Sequence, residues 1–248
     1  MQGRRTLGLI VVLGSLAAGT VRAQESGFGT APRDTGKAAN GEGAAPAAPP
    51  FRVPQELAAL DSVVYRLTPA SRLEVKTGKA GLFGFAGHTH VIQARAFSGQ
   101  VVFYPKTPPR SHVAIKVVTD SLVVLTPPDT EEIRKVTEAM RTQTLQVDRY
   151  PEITLASRNV TQTETGFHMV GALTMVGQTR EVPVEVAVQL APDSLRAQTT
   201  FSVKQTDFGI KPYSGGPGGT VKVADRVTFT IDAIAARAEH GAVAADPK

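Results

Sequence analysis

The sequence predicts an all-β protein in which about eight antiparallel strands close into a barrel, accompanied by one or two short helices. Apolar and polar residues alternate along many short runs between residues 63 and 236. A period of two is typical of strands with one buried face. Turn residues separate these runs, and closing the barrel removes the exposed edges that an open sheet would leave.

The clearest alternation lies in residues 149–190, which we interpret as a meander of three antiparallel strands. In the last of them every second position is apolar: Val182, Val184, Val186, Val188 and Leu190. We predict that Gly166 and the pair Gly177-Gln178 supply the two turns of the meander. Pro183 has no N–H to give to a ladder, so it predicts an edge or bulge position.

Further strands are predicted on both sides of the meander. We place them at residues 63–67, 72–77, 88–97, 99–104, 111–119, 121–125, 197–204 and 227–231. The runs 88–97 and 99–104 are predicted to form a hairpin with Ser98-Gly99 at its tip. Residues 81–87 contain three glycines and two phenylalanines, which predicts a loop that packs aromatic rings over the core or its mouth.

One clear helix is predicted at residues 129–141. Asp129 can cap its first turn, and Glu132 three residues later completes a box-like pair. Ile133, Val136 and Met140 recur at helical spacing. We expect this helix to cover or plug one end of the barrel.

The ends of the chain are predicted to lie outside the fold. Residues 1–23 combine Arg4 and Arg5, an apolar run and a small-residue cleavage pattern, which is typical of a secretory signal peptide. Residues 24–54, rich in Ala, Pro and Gly, are predicted to be a disordered linker, and residues 237–248 a disordered tail. The barrel domain is thus expected at residues 55–236, in a periplasmic or secreted protein. The sequence leaves general and twin-arginine export open.

Charge and composition limit the function classes. The net charge of +5 falls to +2 once the three arginines of residues 1–23 are removed, which gives no support to nucleic-acid binding. The chain has no cysteine, so its stability is expected to come from the core. No later stretch is long and apolar enough to predict a membrane span in the mature protein. The sequence does not specify an oligomeric state.

Four stretches carry a family resemblance. They read RYPEITLAS at residues 149–157, GALTMVGQTREVPVEV at 171–186, VKQTDFGI at 203–210 and VADRVTFTIDA at 223–233. Each is weak alone, but their order and spacing are together specific. Over residues 63–236 the chain resembles the YceI-like family of lipid- or polyisoprenoid-binding proteins. The resemblance implies a lipocalin-like barrel whose interior holds a long apolar chain.

The apolar positions of the predicted strands and helix supply candidates for that interior. They are Phe83, Phe85, Phe103, Ile115, Met140, Phe167, Met169, Leu173, Met175, Val184, Val186, Phe201 and Phe229. Alternation alone does not separate a hollow barrel from a filled one. The resemblance favours a cavity that binds an isoprenoid or another long-chain amphiphilic lipid for transport, storage or sequestration.

His88 and His90 are the candidates for the head-group end of such a ligand, with Arg95. Residues two apart on a strand share a face, so these two imidazoles would also suit the start of a metal site in a metal-dependent enzyme. Residues 91–99 contain no carboxylate, and His112 or His168 would then be the third ligand to check. The orientation stays open, because the histidines face outward if Val91 and Phe97 face inward.

Other signals of catalysis are weak. The chain contains no G-x-S-x-G elbow and no cysteine nucleophile. Asp207 is predicted to accept backbone N–H groups in a turn, and Asp225 to begin a strand. We therefore predict a binding protein without a cofactor rather than an enzyme. A filled, stress-related module without a ligand is the further alternative.

Overall fold

The computed structural model describes residues 48–80, 89–126, 130–215 and 221–238. Its strands are β1 (Val63–Leu67), β2 (Arg72–Ala80), β3 (Val91–Ala94), β4 (Phe97–Phe103), β5 (His112–Val118), β6 (Leu122–Val124), β7 (Glu152–Gln162), β8 (Gly166–Met175), β9 (Gln178–Leu190), β10 (Ser194–Lys204), β11 (Ser214–Gly215) and β12 (Val221–Arg237). The α-helices are α1 (Gln55–Ala58) and α2 (Thr130–Ala139). Neither helix is long and apolar enough to cross a bilayer.

Eight strands form a closed ring in the order β1, β4, β5, β7, β8, β9, β10 and β12, and β12 pairs back with β1. Every pairing in the ring is antiparallel. The predicted fold class, a closed antiparallel barrel with two short helices, is confirmed.

Three of the barrel strands are interrupted. Strand β12 pairs with β1 and, in an earlier part of its length, with β2. β2 then pairs with β3 and β3 with β6, in the same order in which β1 pairs with β4 and β4 with β5. Each pair of segments, such as β3 and β4, therefore behaves as one long strand with a break. The predicted hairpin at Ser98-Gly99 is wrong, because both residues lie within β4 and pair with Lys116 and Ile115 of β5. Gly99 permits this close pairing, since a Cβ there would lie 2.8 Å from the carbonyl oxygen of Ala114.

The predicted meander is confirmed as β7, β8 and β9. Its second turn lies one residue earlier than predicted, at Val176-Gly177, closed by the pair Met175 and Gln178. Both turn residues have positive φ, 48° and 69°, as a two-residue type I′ turn requires. A positive φ is strained for a β-branched residue such as Val176. The preference of such turns for glycine therefore does not predict a valine at this position.

Pro183 lies where β9 is paired on one side only. β9 pairs with β8 along residues 178–187, whereas its ladder with β10 covers only residues 187–190. Val188 donates its N–H toward β8, to the carbonyl oxygen of Thr165, so the nitrogen of Pro183 faces the other side. The missing N–H therefore costs no ladder hydrogen bond.

Helix α2 and the π-helical turn that follows, Met140–Thr144, lie across one end of the barrel. Val136 and Ala139 of the helix and Met140 and Leu145 after it line the barrel interior. The predicted helix at this end is thus confirmed, with the regular α-helix ending at Ala139. The predicted cap Asp129 lies outside the described residues.

An N-terminal arm, residues 51–58, packs at the other end. Phe51 donates its N–H to the carbonyl oxygen of Glu164 (2.8 Å) and sets its ring edge-on against Phe103 and Phe167. Leu57 in helix α1 is completely buried. Phe51 and the residues up to Pro54 belong to the segment that we predicted as a linker, and their packing shows that this part of it contacts the barrel.

A single turn of 3₁₀-helix, Gln205–Phe208, follows β10 and is capped by Asp225. Asp225 accepts hydrogen bonds from the backbone N–H and the hydroxyl of Thr206, at 2.9 and 2.8 Å. These bonds hold the pKa of the Asp225 carboxyl below its usual value. Asp225 lies in a bulge inside β12 rather than at a strand start. Asp207, which was predicted to accept backbone N–H groups in the turn, is exposed.

Replacing Asp225 by alanine should lower the free energy of unfolding by about 1 kcal/mol at neutral pH, because the turn loses two hydrogen bonds to a charged acceptor. A carboxyl whose folded pKa is lowered stabilises the fold above its unfolded pKa, and this contribution is lost as the pH falls through the folded pKa. Urea titrations of both proteins should therefore converge in acid. Asp207→Ala is the control, and an equal loss in that variant would contradict the assignment.

Candidate ligand-binding site

A cavity of about 470 Å³ lies inside the barrel beneath helix α2; we call it cavity 1. Ligand pockets commonly measure about 300–1,000 Å³, and cavity 1 is roughly three times the size of an engineered core cavity that binds benzene. Its apolar lining includes Leu73, Val75, Ile92, Ala94, Ile115, Val117, Leu122, Met140, Leu145, Ile153, Leu155, Leu173, Met175, Phe201, Ile210, Val227, Phe229 and Ile231. The barrel is therefore hollow at this end.

Phe201 and Phe229 contribute two aromatic rings to the wall of cavity 1. They are directly opposite across β10 and β12, and their rings stack with centroids 5.1 Å apart at an interplanar angle of 4°. The alternation of each strand places both rings on the inner face. Their stacking provides a rigid wall against which a flexible apolar chain can pack.

Three buried polar side chains, Thr77, His90 and Gln205, interrupt the apolar lining. Thr77 and His90 face each other across β2 and the chain entering β3. The N–H of Thr77 donates to the carbonyl oxygen of His90, and the N–H of His90 donates to Thr77 Oγ1 (3.2 Å). Gln205 Nε2 donates to the carbonyl oxygen of Ala224 (2.9 Å), which leaves its Oε1 as an acceptor.

The structure places His90 on the inner face. His90, Ile92 and Ala94 all line cavity 1, at alternating positions, so Val91 and Gln93 point outward. His90 Nδ1 lies 2.9 Å from the carbonyl oxygen of Thr126. A carbonyl only accepts, so Nδ1 carries the hydrogen and Nε2 is the nitrogen left for a ligand. In the neutral imidazole, Nε2 is an acceptor.

The lining also includes three exposed polar side chains, Lys135, Tyr213 and Lys222. Lys135 bonds Glu131 one helical turn earlier, at 2.7 Å, so its charge is partly neutralised. The half-buried residues Glu74 and Thr144 also belong to the lining. Cavity 1 thus combines a mainly apolar wall with several polar groups, a composition that suits an amphiphile.

A second cavity of about 100 Å³, cavity 2, lies between the middle of the barrel and the N-terminal arm. Its lining includes Phe51, Leu67, Val101, Phe103, Val113, Val160, Phe167, Met169, Val186, Val188, Leu190, Leu195, Ala197 and Ala233. Beside it, Tyr65 is completely buried and donates its hydroxyl to the carbonyl oxygen of Ala191 (3.1 Å). Burial raises the pKa of Tyr65 to about 12.

The predicted cavity residues divide between the two cavities. Cavity 1 is lined by Ile115, Met140, Leu173, Met175, Phe201 and Phe229, and cavity 2 by Ile115, Phe103, Phe167, Met169 and Val186. Val184 is fully buried but lines neither of them. Phe83, Phe85 and His88 lie outside the described residues. Arg95 is exposed and borders neither cavity.

The other histidines considered as ligands are separate from His90. His112 is exposed and lines cavity 2, and half-exposed His168 bonds Glu185 through Nδ1 at 2.6 Å. Within the described ranges no group of three or more His, Asp or Glu side chains is arranged to hold a metal ion.

Sequence reasoning missed Thr77 and Gln205. Thr77 continues the inward alternation of Leu73 and Val75 in β2, so the strand period could have identified it. Gln205 lies in a 3₁₀ turn, where no simple period tells which side chain faces inward.

The fold and its interior define a hollow, closed antiparallel barrel with an apolar cavity under a helical cover. The chain belongs to the YceI-like domain family, whose model matches residues 65–235. This confirms the resemblance carried by the four motifs. No curated protein sequence matches the chain.

Among the solved structures similar to this chain, two illustrate the shared fold. BcnA from Burkholderia cenocepacia is 17% identical, with a TM-score of 0.54, and the match covers 68% of this chain and 98% of BcnA. A polyisoprenoid binding domain from Saccharophagus degradans, implicated in plant cell wall breakdown, is 12% identical, with a TM-score of 0.51, over 71% of this chain and 98% of that domain. At these identities the likeness establishes the barrel alone.

Proposed function

We propose that this protein binds an isoprenoid or a related long-chain amphiphilic lipid in cavity 1, and that it stores, carries or sequesters that lipid. The observation that carries the proposal is a cavity of about 470 Å³ whose lining is mainly apolar. Family membership and the likeness to a domain described as polyisoprenoid binding support the same ligand class.

Burial of the hydrocarbon supplies the affinity. Each methylene group moved out of water contributes about 0.8 kcal/mol, so ten buried carbons contribute about 8 kcal/mol before the cost of ordering the ligand. A gain of that size needs few polar contacts. The stacked rings of Phe201 and Phe229 and the adaptable side chains of Met140 and Met175 suit a chain with many conformations.

The polar end of the ligand lies against His90, Thr77 and Gln205 in this proposal. With Nδ1 bonded to the carbonyl oxygen of Thr126, His90 has Nε2 left for a ligand, and this nitrogen accepts a hydrogen bond in the neutral form of the ring. Gln205 Oε1 is a second acceptor, and the Thr77 hydroxyl carries a proton to donate. This set suits a hydroxyl or phenol head group better than a carboxylate.

Replacing His90 by phenylalanine should weaken the binding of a prenyl alcohol about five- to tenfold, the net value of one hydrogen bond, while binding of the matching hydrocarbon is unchanged. Competition against a fluorescent fatty probe measures both affinities. His168→Phe is the control, because His168 lies on the outer side of β8. Equal losses for alcohol and hydrocarbon would contradict the head-group assignment.

We further propose that the protein acts outside the cytoplasm. The supporting observation is the pattern of residues 1–23, with paired arginines before an apolar run and a small-residue cleavage pattern. A binding role, rather than catalysis, belongs to the same proposal. It is supported by the mainly apolar lining of cavity 1, which suits a hydrocarbon chain.

Native mass spectrometry of the protein purified without detergent from its own cell envelope tests this function. The same sample is extracted with organic solvent, and the extract is compared with that of an unrelated envelope protein. We expect one discrete lipid mass per chain. A protein that carries a stoichiometric metal and no lipid would overturn the proposal and favour a metal-dependent role for His90 and His88.

A further inference from the structure

We propose that cavity 2 receives the far end of the bound chain, so that the N-terminal arm and the cavity 2 lining set the longest chain that the barrel accepts. This inference rests on the proposed function of cavity 1. It assigns a separate role, selection of chain length, to residues at the opposite end of the barrel.

The two cavities lie back to back along the barrel interior. Three side chains, Ile115, Leu155 and Ile231, line both of them. Ile115 and Leu155 are direct partners across β5 and β7, whereas Ile231 approaches from β12. These three side chains therefore lie where the two cavities meet, and in this proposal a change of their rotamers joins the cavities.

Cavity 2 is suited to a hydrocarbon end. Its lining is mainly apolar, and its polar residues Ser111 and Thr199 already bond the backbone of Tyr104 and Glu185, while His112 is exposed. Cavity 1, in contrast, contains the buried polar groups His90, Thr77 and Gln205. A head group would lose its hydrogen bonds in cavity 2, at a cost that apolar burial does not offset. The ligand is therefore oriented with its head in cavity 1 and its tip toward the arm.

Small side chains create the space in cavity 2. Ala197 of β10 and Ala233 of β12 are direct cross-strand partners, and both line it. Larger residues at this pair would fill the cavity, because opposite side chains on one face of a sheet lie in contact.

The N-terminal arm closes the outer end. Phe51 lines cavity 2 and contacts the rings of Phe167 and Phe103, with centroids 5.0 and 6.1 Å away. Its ring is only partly buried, so removing it opens cavity 2 outward without emptying the centre of a packed core. The position of this ring therefore limits how far a chain extends.

Binding of three prenyl alcohols that differ by one isoprene unit, farnesol, geranylgeraniol and geranylfarnesol, tests the inference. The variant Ala197→Leu fills cavity 2, and Ala94→Leu is its matched control, because Ala94 lines cavity 1. We expect Ala197→Leu to weaken the binding of long alcohols more than that of farnesol. For the longest alcohol that the wild type binds, the loss of affinity should exceed the loss for farnesol at least about tenfold. Ala94→Leu should weaken all three to a similar extent.

Phe51→Ala gives an independent test, and thermal melts verify that each variant is folded. This variant should strengthen binding of the longest alcohol relative to farnesol. Unchanged length preference in both Ala197→Leu and Phe51→Ala would overturn the chain-length role while leaving the proposed function intact. A wild-type protein that binds none of the three alcohols would instead overturn the proposed function itself.

Discussion

Replacing Ala139 by tryptophan is expected to reduce the affinity for a prenyl alcohol about a hundredfold. Ala139 ends helix α2 and lines cavity 1, so an indole there occupies the space of several carbon atoms of the ligand. Excluding three or four methylene groups at about 0.8 kcal/mol each removes roughly 3 kcal/mol of binding free energy. Titration with geranylgeraniol, followed by displacement of a fluorescent fatty probe, measures the change.

Glu138→Trp is the matched control, because Glu138 is the preceding residue of the same helix and is exposed. It adds the same side chain outside the cavity and should leave the affinity unchanged. If Ala139→Trp binds as tightly as the control, cavity 1 does not hold the ligand.

Replacing Gly166 by alanine should have the largest effect on stability, a loss of about 3 kcal/mol or more in the free energy of unfolding. Gly166 begins β8 opposite Ala187 of β9. A Cβ at Gly166 would overlap the carbonyl oxygen of Val186 and lie 2.9 Å from the nitrogen of Val188. Because both obstacles are backbone atoms, β8 and β9 must separate, and urea unfolding measures the cost.

Gly209→Ala separates this steric cost from that of an unfavourable backbone conformation. Gly209 has a φ of 72°, but no atom lies within 4 Å of a Cβ built there. Its replacement should cost about 1 to 2 kcal/mol, the usual penalty for a left-handed non-glycine residue. A larger loss at Gly209 than at Gly166 would contradict the account of the β8–β9 contact.

The strands could be predicted because a half-buried strand repeats its environment at every second residue. The run of valines in β9 and the inward facing of Phe201 and Phe229 follow from this period, whereas the pairing of these two rings depends on the strand register. The breaks within three barrel strands could not be predicted in this way. A break leaves the alternation on either side intact, so the Ser98-Gly99 dipeptide looked like a hairpin tip although it lies inside β4.

The candidate site could be predicted in part. Apolar strand positions identify side chains that face inward, and most of those named border one of the two cavities. The two-residue period shows that a side chain faces inward, but not at which end of the barrel it lies. Phe103 and Phe167 were therefore predicted to line the same cavity as Leu173, whereas they line cavity 2 and Leu173 lines cavity 1. The contact of Phe51 with the barrel was missed because this residue follows a Pro- and Ala-rich stretch that shows no strand or helix period.

The most direct test of the central claim is methyl NMR of the protein bound to geranylgeraniol, with labelled methionine methyl groups. The chain contains four methionines, of which Met140 and Met175 line cavity 1 and Met169 lines cavity 2. If the lipid is held in cavity 1, we expect intermolecular NOEs between its chain and the methyl groups of Met140 and Met175. Unshifted methionine signals at saturating lipid, without such NOEs, would contradict a ligand inside the barrel.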